Sequence, residues 1–289
     1  MIQLFFFGGK LMVTMKPETA KERIPGDLLR RIESVETRFK NRGGRTGKKA
    51  AAFDMDNTLL IGDVGYAVFA QLKLDELKAP VTIDKKPIPL SWPEYNEVLR
   101  KKGKIEAYPL MARAMAGIPL EVVNETTHRV MTLEESYLEV EGERVTVPSP
   151  HPVMQALVCF LESLGYGIYV VSATNHFSVQ YVAKEFFGIP EANAAGIKLN
   201  LVEHAGYGKV LGNRVEGPLT VEEGKIDAYR QLAGPVPPLI TAGDSMTDIY
   251  LLNLVEPDGL VIWVYEDERS LETVKRQLKY PEILYFFKR

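Results

Sequence analysis

The sequence predicts an α/β protein: a parallel sheet with helices on both faces, and a small helical domain inserted after the first strand. Three observations carry this. Short apolar runs at 50–53, 167–171, 238–241 and 260–264 alternate with helical patterns at 152–164, 176–187, 221–233 and 246–254. Buried strands alternating with crossover helices are the pattern of a parallel sheet. Three of the runs end in polar residues, at Asp54, Ser172 and Asp244, and ligands of such sheets gather at the carboxyl ends of the strands. Finally, residues 63–149 are too long a stretch for one crossover.

Taken in order, residues 1–44 read as a helical extension. Within it, 26–40 has Asp27 as an N-cap and Leu28, Leu29, Ile32, Val35 and Phe39 near helical spacing. A basic, glycine-rich run over 41–49 leads into the first strand. The sheet core spans 45–62 and 150–289. The insertion, 63–149, is expected to be mainly helical, punctuated by Pro80, Pro87, Pro89 and Pro109. Ser91 with Glu94, and Thr132 with Glu135, both have capping-box spacing. Residues 196–215 read as a hairpin or irregular excursion.

Composition narrows the function. The chain has 289 residues, 46% hydrophobic and 25% charged, with a formal net charge of −3. No basic field favours nucleic acid. Leu4 to Phe7 is apolar, but Gly8-Gly9-Lys10 ends it, so a secretory signal is not expected. No apolar run is long enough to span a bilayer, and a cytoplasmic protein without a membrane partner is expected. The single cysteine, Cys159, excludes an intramolecular disulfide or a CxxC site and is expected to be a small buried hydrophobe. His128, His151, His176 and His204 lack zinc spacing, and no GxSxG elbow occurs. The run from Gly43 to Lys49 is not a phosphate loop: Arg42 replaces its first glycine, Lys49 its hydroxyl residue, and it precedes a strand rather than following one.

The chemistry concentrates in Asp54-Met55-Asp56-Asn57-Thr58. Two carboxylates two residues apart repel each other, and a divalent cation at the strand end explains their tolerance. Magnesium suits such a site, since it takes oxygen ligands from one or two carboxylates plus a substrate phosphate. A carboxylate can serve as nucleophile in phosphoryl transfer, here Asp54. Asp56 can protonate the leaving alkoxide and then activate water, and Thr58 offers a hydroxyl to a phosphate oxygen. Turn statistics alone would also place Asp, Asn and Thr at a strand end.

The pentapeptide resembles motif I of the haloacid dehalogenase superfamily, whose core is a Rossmann-like sheet. Further motifs follow in that family's order. Ser172 resembles motif II, whose hydroxyl binds the phosphoryl group. Lys225, in Glu223-Gly224-Lys225-Ile226-Asp227, resembles motif III. Gly243-Asp244-Ser245-Met246-Thr247-Asp248 resembles motif IV, whose first acid binds magnesium. The resemblance implies a magnesium-dependent phosphatase working through an aspartyl-phosphate, with Asp54, Asp56, Asp244 and Asp248 around the metal. Asp248 would orient a metal-bound water or Lys225. The superfamily's dehalogenases lack an acid at the position of Asp56, which disfavours that reaction.

An insertion between motifs I and II is similar to the helical caps of phosphoserine and phosphorylcholine phosphatases. Asp63 stands where phosphoserine phosphatases use a Glu for the substrate ammonium. Met111 stands at their carboxylate-binding arginine, with Arg113 two residues away, and Ala173-Thr174 replaces their glycine pair. These departures favour a small phosphorylated metabolite with an ammonium group, such as phosphocholine or phosphoethanolamine, over phosphoserine. Trp92 and Tyr95 are expected either to form a cation-binding aromatic wall or to pack the core of the insertion. A phosphotransferase or mutase of the same fold, and a non-catalytic binding module, are the alternatives. Neither substrate nor oligomeric state is fixed by the sequence.

Overall fold

The computed structural model describes residues 3–7, 10–42 and 48–288. Seven strands form the central sheet: β1 (Lys49–Phe53), β2 (Tyr166–Asn175), β3 (Ala194–His204), β4 (Gly208–Glu216), β5 (Ile240–Gly243), β6 (Leu260–Tyr265) and β7 (Leu284–Lys288). Their order is β4-β3-β2-β1-β5-β6-β7, parallel except for the edge pair β3–β4. The excursion around 196–215 is therefore a hairpin whose first strand joins the sheet. Ahead of the sheet, Gln3–Phe7 pairs antiparallel with Lys10–Thr14, so the extension expected to be helical also holds a hairpin. Of the sheet's own strands the first in sequence is central in space, with its neighbours on either side leading to the polar residues singled out above.

Alternation along β1 divides the core: Ala51 and Phe53 join one apolar layer, Ala52 the other. Helices α1 (Pro17–Arg23) and α2 (Gly26–Asn41) pack on the first layer, where Ala20, Leu28, Ile32 and Val35 are buried. The basic run after α2 lies largely outside the described residues. Cys159 is only half-buried, and its thiol donates to the Met15 carbonyl at 3.1 Å.

Between β1 and β2 the chain leaves and returns through a short antiparallel ladder, Leu60 opposite Pro150 and Ile61 opposite Ser149. It carries four helices: α3 (Val64–Glu76), α4 (Trp92–Lys102), α5 (Lys104–Ala114) and α6 (Leu120–Val130). Ser91 caps α4 as expected: its Oγ accepts from Glu94 N at 3.3 Å, and its N–H donates to the Glu94 carboxylate at 2.9 Å. Thr132 opens no helix. Its hydroxyl donates backward to the His128 carbonyl at 2.9 Å and so closes α6. Glu135 leads instead into a hairpin, Tyr137–Val140 with Glu143–Thr146. Pro109 sits inside α5, where the sequence suggested a break. Gly117 N donates to Leu211 O at 2.7 Å and Leu211 N to Ile118 O at 3.0 Å, which lays the insertion against β4.

No described helix is long and apolar enough to cross a membrane. Helices α7 (Pro152–Ser163), α8 (His176–Phe187) and α9 (Gly224–Ala233) complete the layers.

Candidate active site

The carboxyl ends of β1, β2 and β5 meet under α3 and α5, around a cavity open to solvent. Its wall includes Asp54, Asp56, Asn57, Asp63, Ser172, Lys225, Asp244 and Asp248. All of these except Asn57 were expected to act, and they come from four separate stretches of sequence.

Asp54 follows β1 directly, and its N–H donates to Ala242 O of β5 at 3.0 Å, which fixes the strand end. The residue is buried, 5% exposed. Lys225, at the start of α9, is fully buried and places its Nζ 2.6 Å from Asp54 Oδ1 and 2.5 Å from Asp248 Oδ1. A buried ammonium is tolerated only when paired in this way. Burial works against the Lys225 charge, but Asp248 and Asp54 outweigh it and raise its pKa. For Asp54 the balance reverses: burial, then the negative field of Asp248, push its carboxyl up to about 7 despite Lys225.

Asp54, Asp244 and Asp248 each bring a carboxylate oxygen within 4.8 Å of the others. Three hard oxygen donors at that spacing, with more negative charge than Lys225 neutralises, fit a divalent cation. Asp248 is already heavily engaged. Its Oδ2 accepts from Ser245 N at 2.9 Å, Ser245 Oγ at 3.0 Å and Asp244 N at 3.2 Å, ordering the loop after β5.

Asp56 faces elsewhere. Asn57 adopts a left-handed conformation (φ 57°), which Asn tolerates better than most residues, and the chain reverses there. The Asp56 carboxylate is not among the three that meet within 4.8 Å of one another. Its Oδ1 accepts from Val64 N at 2.7 Å, its Oδ2 from Ser172 Oγ at 2.9 Å and Thr174 Oγ1 at 2.8 Å. Burial raises its carboxyl pKa, while these donors, Thr174 first, pull it down. Ser172 and Thr174 both reach it because alternate residues of a strand point the same way; between them and β3 the register shifts, with Val171 opposite Ala195 but Asn175 opposite Ile197. Gly196 lies so close under this bulge that a Cβ would come within 2.3 Å of Thr174 O.

Thr58, expected to meet a phosphate oxygen, is fully buried after the reversal and is not among the cavity-lining residues. Its hydroxyl has no hydrogen-bond partner. Asp63 does face the cavity, and caps α3 by accepting from Tyr66 N at 2.8 Å. Burial, then the charge of Asp56, raise its carboxyl pKa well above the usual range. Trp92 and Tyr95 line no part of the cavity. They are buried and edge-packed on each other with ring centroids 5.8 Å apart, as an aromatic core would be. The aromatic surfaces in the wall belong to Tyr66 and Tyr108, joined by Lys104, Met111 and Met115. Tyr66 OH lies 2.9 Å from Tyr95 OH. Sequence reasoning missed Tyr66, Tyr108, Thr174 and Asn175; only Thr174 carried a signal, as the departure from the glycine pair.

The sequence profile of haloacid dehalogenase-like hydrolases matches residues 51–253. No curated protein matches the chain. Among solved structures, a conserved protein of unknown function from Anaerococcus prevotii has a TM-score of 0.61 at 16% identity, covering 95% of this chain and 99% of its own. A HAD family hydrolase from Salmonella enterica serovar Typhi has a TM-score of 0.52 at 12% identity, covering 89% and 76%. A probable phosphoserine phosphatase from Vibrio cholerae has a TM-score of 0.50 at 16% identity, covering 81% and 60%. At such identities the likeness is one of fold.

Proposed function

The chain belongs to the haloacid dehalogenase-like hydrolase family, and from that premise we propose that it is a phosphatase of small phosphorylated metabolites, with Asp54 as nucleophile and Asp56 as general acid and base. One observation carries this reading: the two carboxylates share one cavity but have different partners, an ammonium for Asp54 and neutral donors for Asp56. Paired acids in contrasting surroundings are the signature of divided roles.

In the first step an Asp54 oxygen attacks phosphorus, the bond to the leaving oxygen breaks, and Asp56 gives that oxygen its proton. Water then attacks the aspartyl-phosphate. Its proton goes to Asp56, the phosphorus–Asp54 bond breaks, and both carboxyls return to their starting states. Lys225 and Ser172 offer charge and a hydrogen bond to the phosphoryl oxygens, where negative charge gathers. Asp54 and Asp244 would hold a magnesium ion, with Asp248 holding Lys225 and the loop. When bound, the ion supplies further neutralisation of the phosphoryl group. Residues 63–149 serve as a cap that roofs the cavity.

At the cap end, Asp63 is a desolvated acid facing a cavity whose wall also includes Tyr66 and Tyr108. A substrate ammonium would return to it the charge that burial suppresses, with the tyrosine faces beside it. This supports phosphocholine, phosphoethanolamine or phosphoserine as the substrate type. The test is phosphate release with magnesium across those esters, sugar phosphates and nucleotides. Turnover of ammonium-bearing esters, lost in Asp63→Asn, is expected; preference for a sugar phosphate or nucleotide would refute the ammonium reading.

A further inference from the structure

We propose that Thr174 is a positioning residue that holds Asp56 in its proton-donating orientation, and that Gly65 is the space that admits it. The proposal rests on the general-acid reading of Asp56. Both Asp56 oxygens are engaged: Oδ1 by the Val64 N–H, Oδ2 by the hydroxyls of Ser172 and Thr174. Ser172 is also the residue proposed to bind the phosphoryl group. A hydroxyl has one proton to donate, so Ser172 cannot hold Asp56 and donate to a phosphoryl oxygen at once. Once it turns to substrate, Thr174 is the side chain left on Oδ2.

Thr174 is placed for this. It is 8% exposed, on the face of the β2 bulge that Ser172 shares, and its own N–H donates to Ser172 Oγ at 3.1 Å. That bond leaves the Ser172 proton free to point to either partner. Gly65, the second residue of α3, completes the arrangement. A Cβ built on Gly65 would lie 2.5 Å from Thr174 Oγ1 and 3.2 Å from Asp63 Oδ1. Any larger residue there displaces the Thr174 hydroxyl. Where the glycine pair of the related phosphatases is replaced by Ala173-Thr174, Gly65 on the facing helix leaves room for the threonine.

A general acid matters most when the leaving group is basic, since an alkoxide needs a proton to depart and a nitrophenolate does not. The test compares kcat/KM, which reports the steps up to departure of the leaving group and not the later hydrolysis common to both esters, for glycerol 2-phosphate and p-nitrophenyl phosphate in wild type, Thr174→Val, Thr174→Ser, Gly65→Ala and Asp56→Asn. Thr174→Val keeps the shape and removes the hydroxyl. It is expected to lose at least about tenfold more on the alkyl than on the aryl ester, a fraction of the ~10²–10⁴ a general acid supplies. Thr174→Ser should restore the wild-type ratio, and Gly65→Ala should reproduce the Val pattern. Equal losses on both esters in Thr174→Val, with Asp56→Asn still selective, would overturn the positioning role alone. An unselective Asp56→Asn would overturn the general-acid reading beneath it.

Discussion

Two halves of one cavity, built from residues only two apart in sequence, are held by opposite means. On one side Asp54 lies in a charged cluster with Lys225, Asp244 and Asp248. On the other, Asp56 is held by a backbone N–H and two hydroxyls. The Lys225 ammonium favours the Asp54 anion that a nucleophile requires, against the burial and the charge of Asp248 that raise its carboxyl to about 7. Neutral donors fix the direction of Asp56 while leaving it able to take up and release a proton. The left-handed turn at Asn57 separates the two environments.

The largest expected effect is on the charged side. Asp54→Asn keeps the shape and removes the nucleophile, so turnover should fall by at least about 10³-fold with the fold intact, measured by phosphate release and circular dichroism. Substantial residual activity would put the nucleophile elsewhere. Lys225→Met should lose activity and also stability. Removing one partner of a buried ion pair strands the others, at a cost of about 3–5 kcal/mol by denaturant titration. A neutral or stabilising result would show that the acids do not depend on this ammonium.

Next comes cation affinity. With the Asp54 carboxyl raised to about 7 without a cation, binding below that pH must displace a proton. Magnesium affinity should fall as pH drops through 7, by up to about tenfold per unit, with proton release seen in calorimetry. Pure pH independence between 5 and 7 would mean that Asp54 does not take part.

The smallest effect lies behind the hydroxyl side. Burial, then the charge of Lys198, lower the His176 pKa from 6.5 to about 4, and its Nδ1 accepts from Gly196 N at 3.2 Å beneath the β2 bulge. The unfolded chain binds this proton first. Stability from the neutral imidazole is therefore complete above 6.5 and lost as pH falls toward 4, about 3 kcal/mol in all. His176→Gln should flatten that part of the profile; an unchanged slope would assign it to other groups.

The sheet and its strand ends were legible because they depend on local pattern. Apolar runs and the residues that follow them mark β1, β2, β5 and β6 whatever packs around them. Which way a side chain faces was less so. Asp56 is turned by one residue's positive φ, and Thr174 meets it only through a contact between residues 118 apart in sequence. In the insertion, Trp92 and Tyr95 have the composition of a binding wall, but α4 turns them inward, and Tyr66 on α3 and Tyr108 on α5 take the wall instead. Helical periodicity tells which residues share a face, not which face meets the cavity. Thr132 and Glu135 match a capping box, yet the hydroxyl serves the helix before it.

The most direct test is to trap the covalent intermediate. Enzyme turning over p-nitrophenyl phosphate with magnesium is quenched in acid, reduced with borohydride and digested. Reduction of an aspartyl-phosphate converts that aspartate to homoserine, and the peptide carrying residue 54 should show the change by mass spectrometry, dependent on both substrate and magnesium. Phosphate found instead on Ser172 or another residue, or no modification during measurable turnover, would contradict Asp54 as the nucleophile.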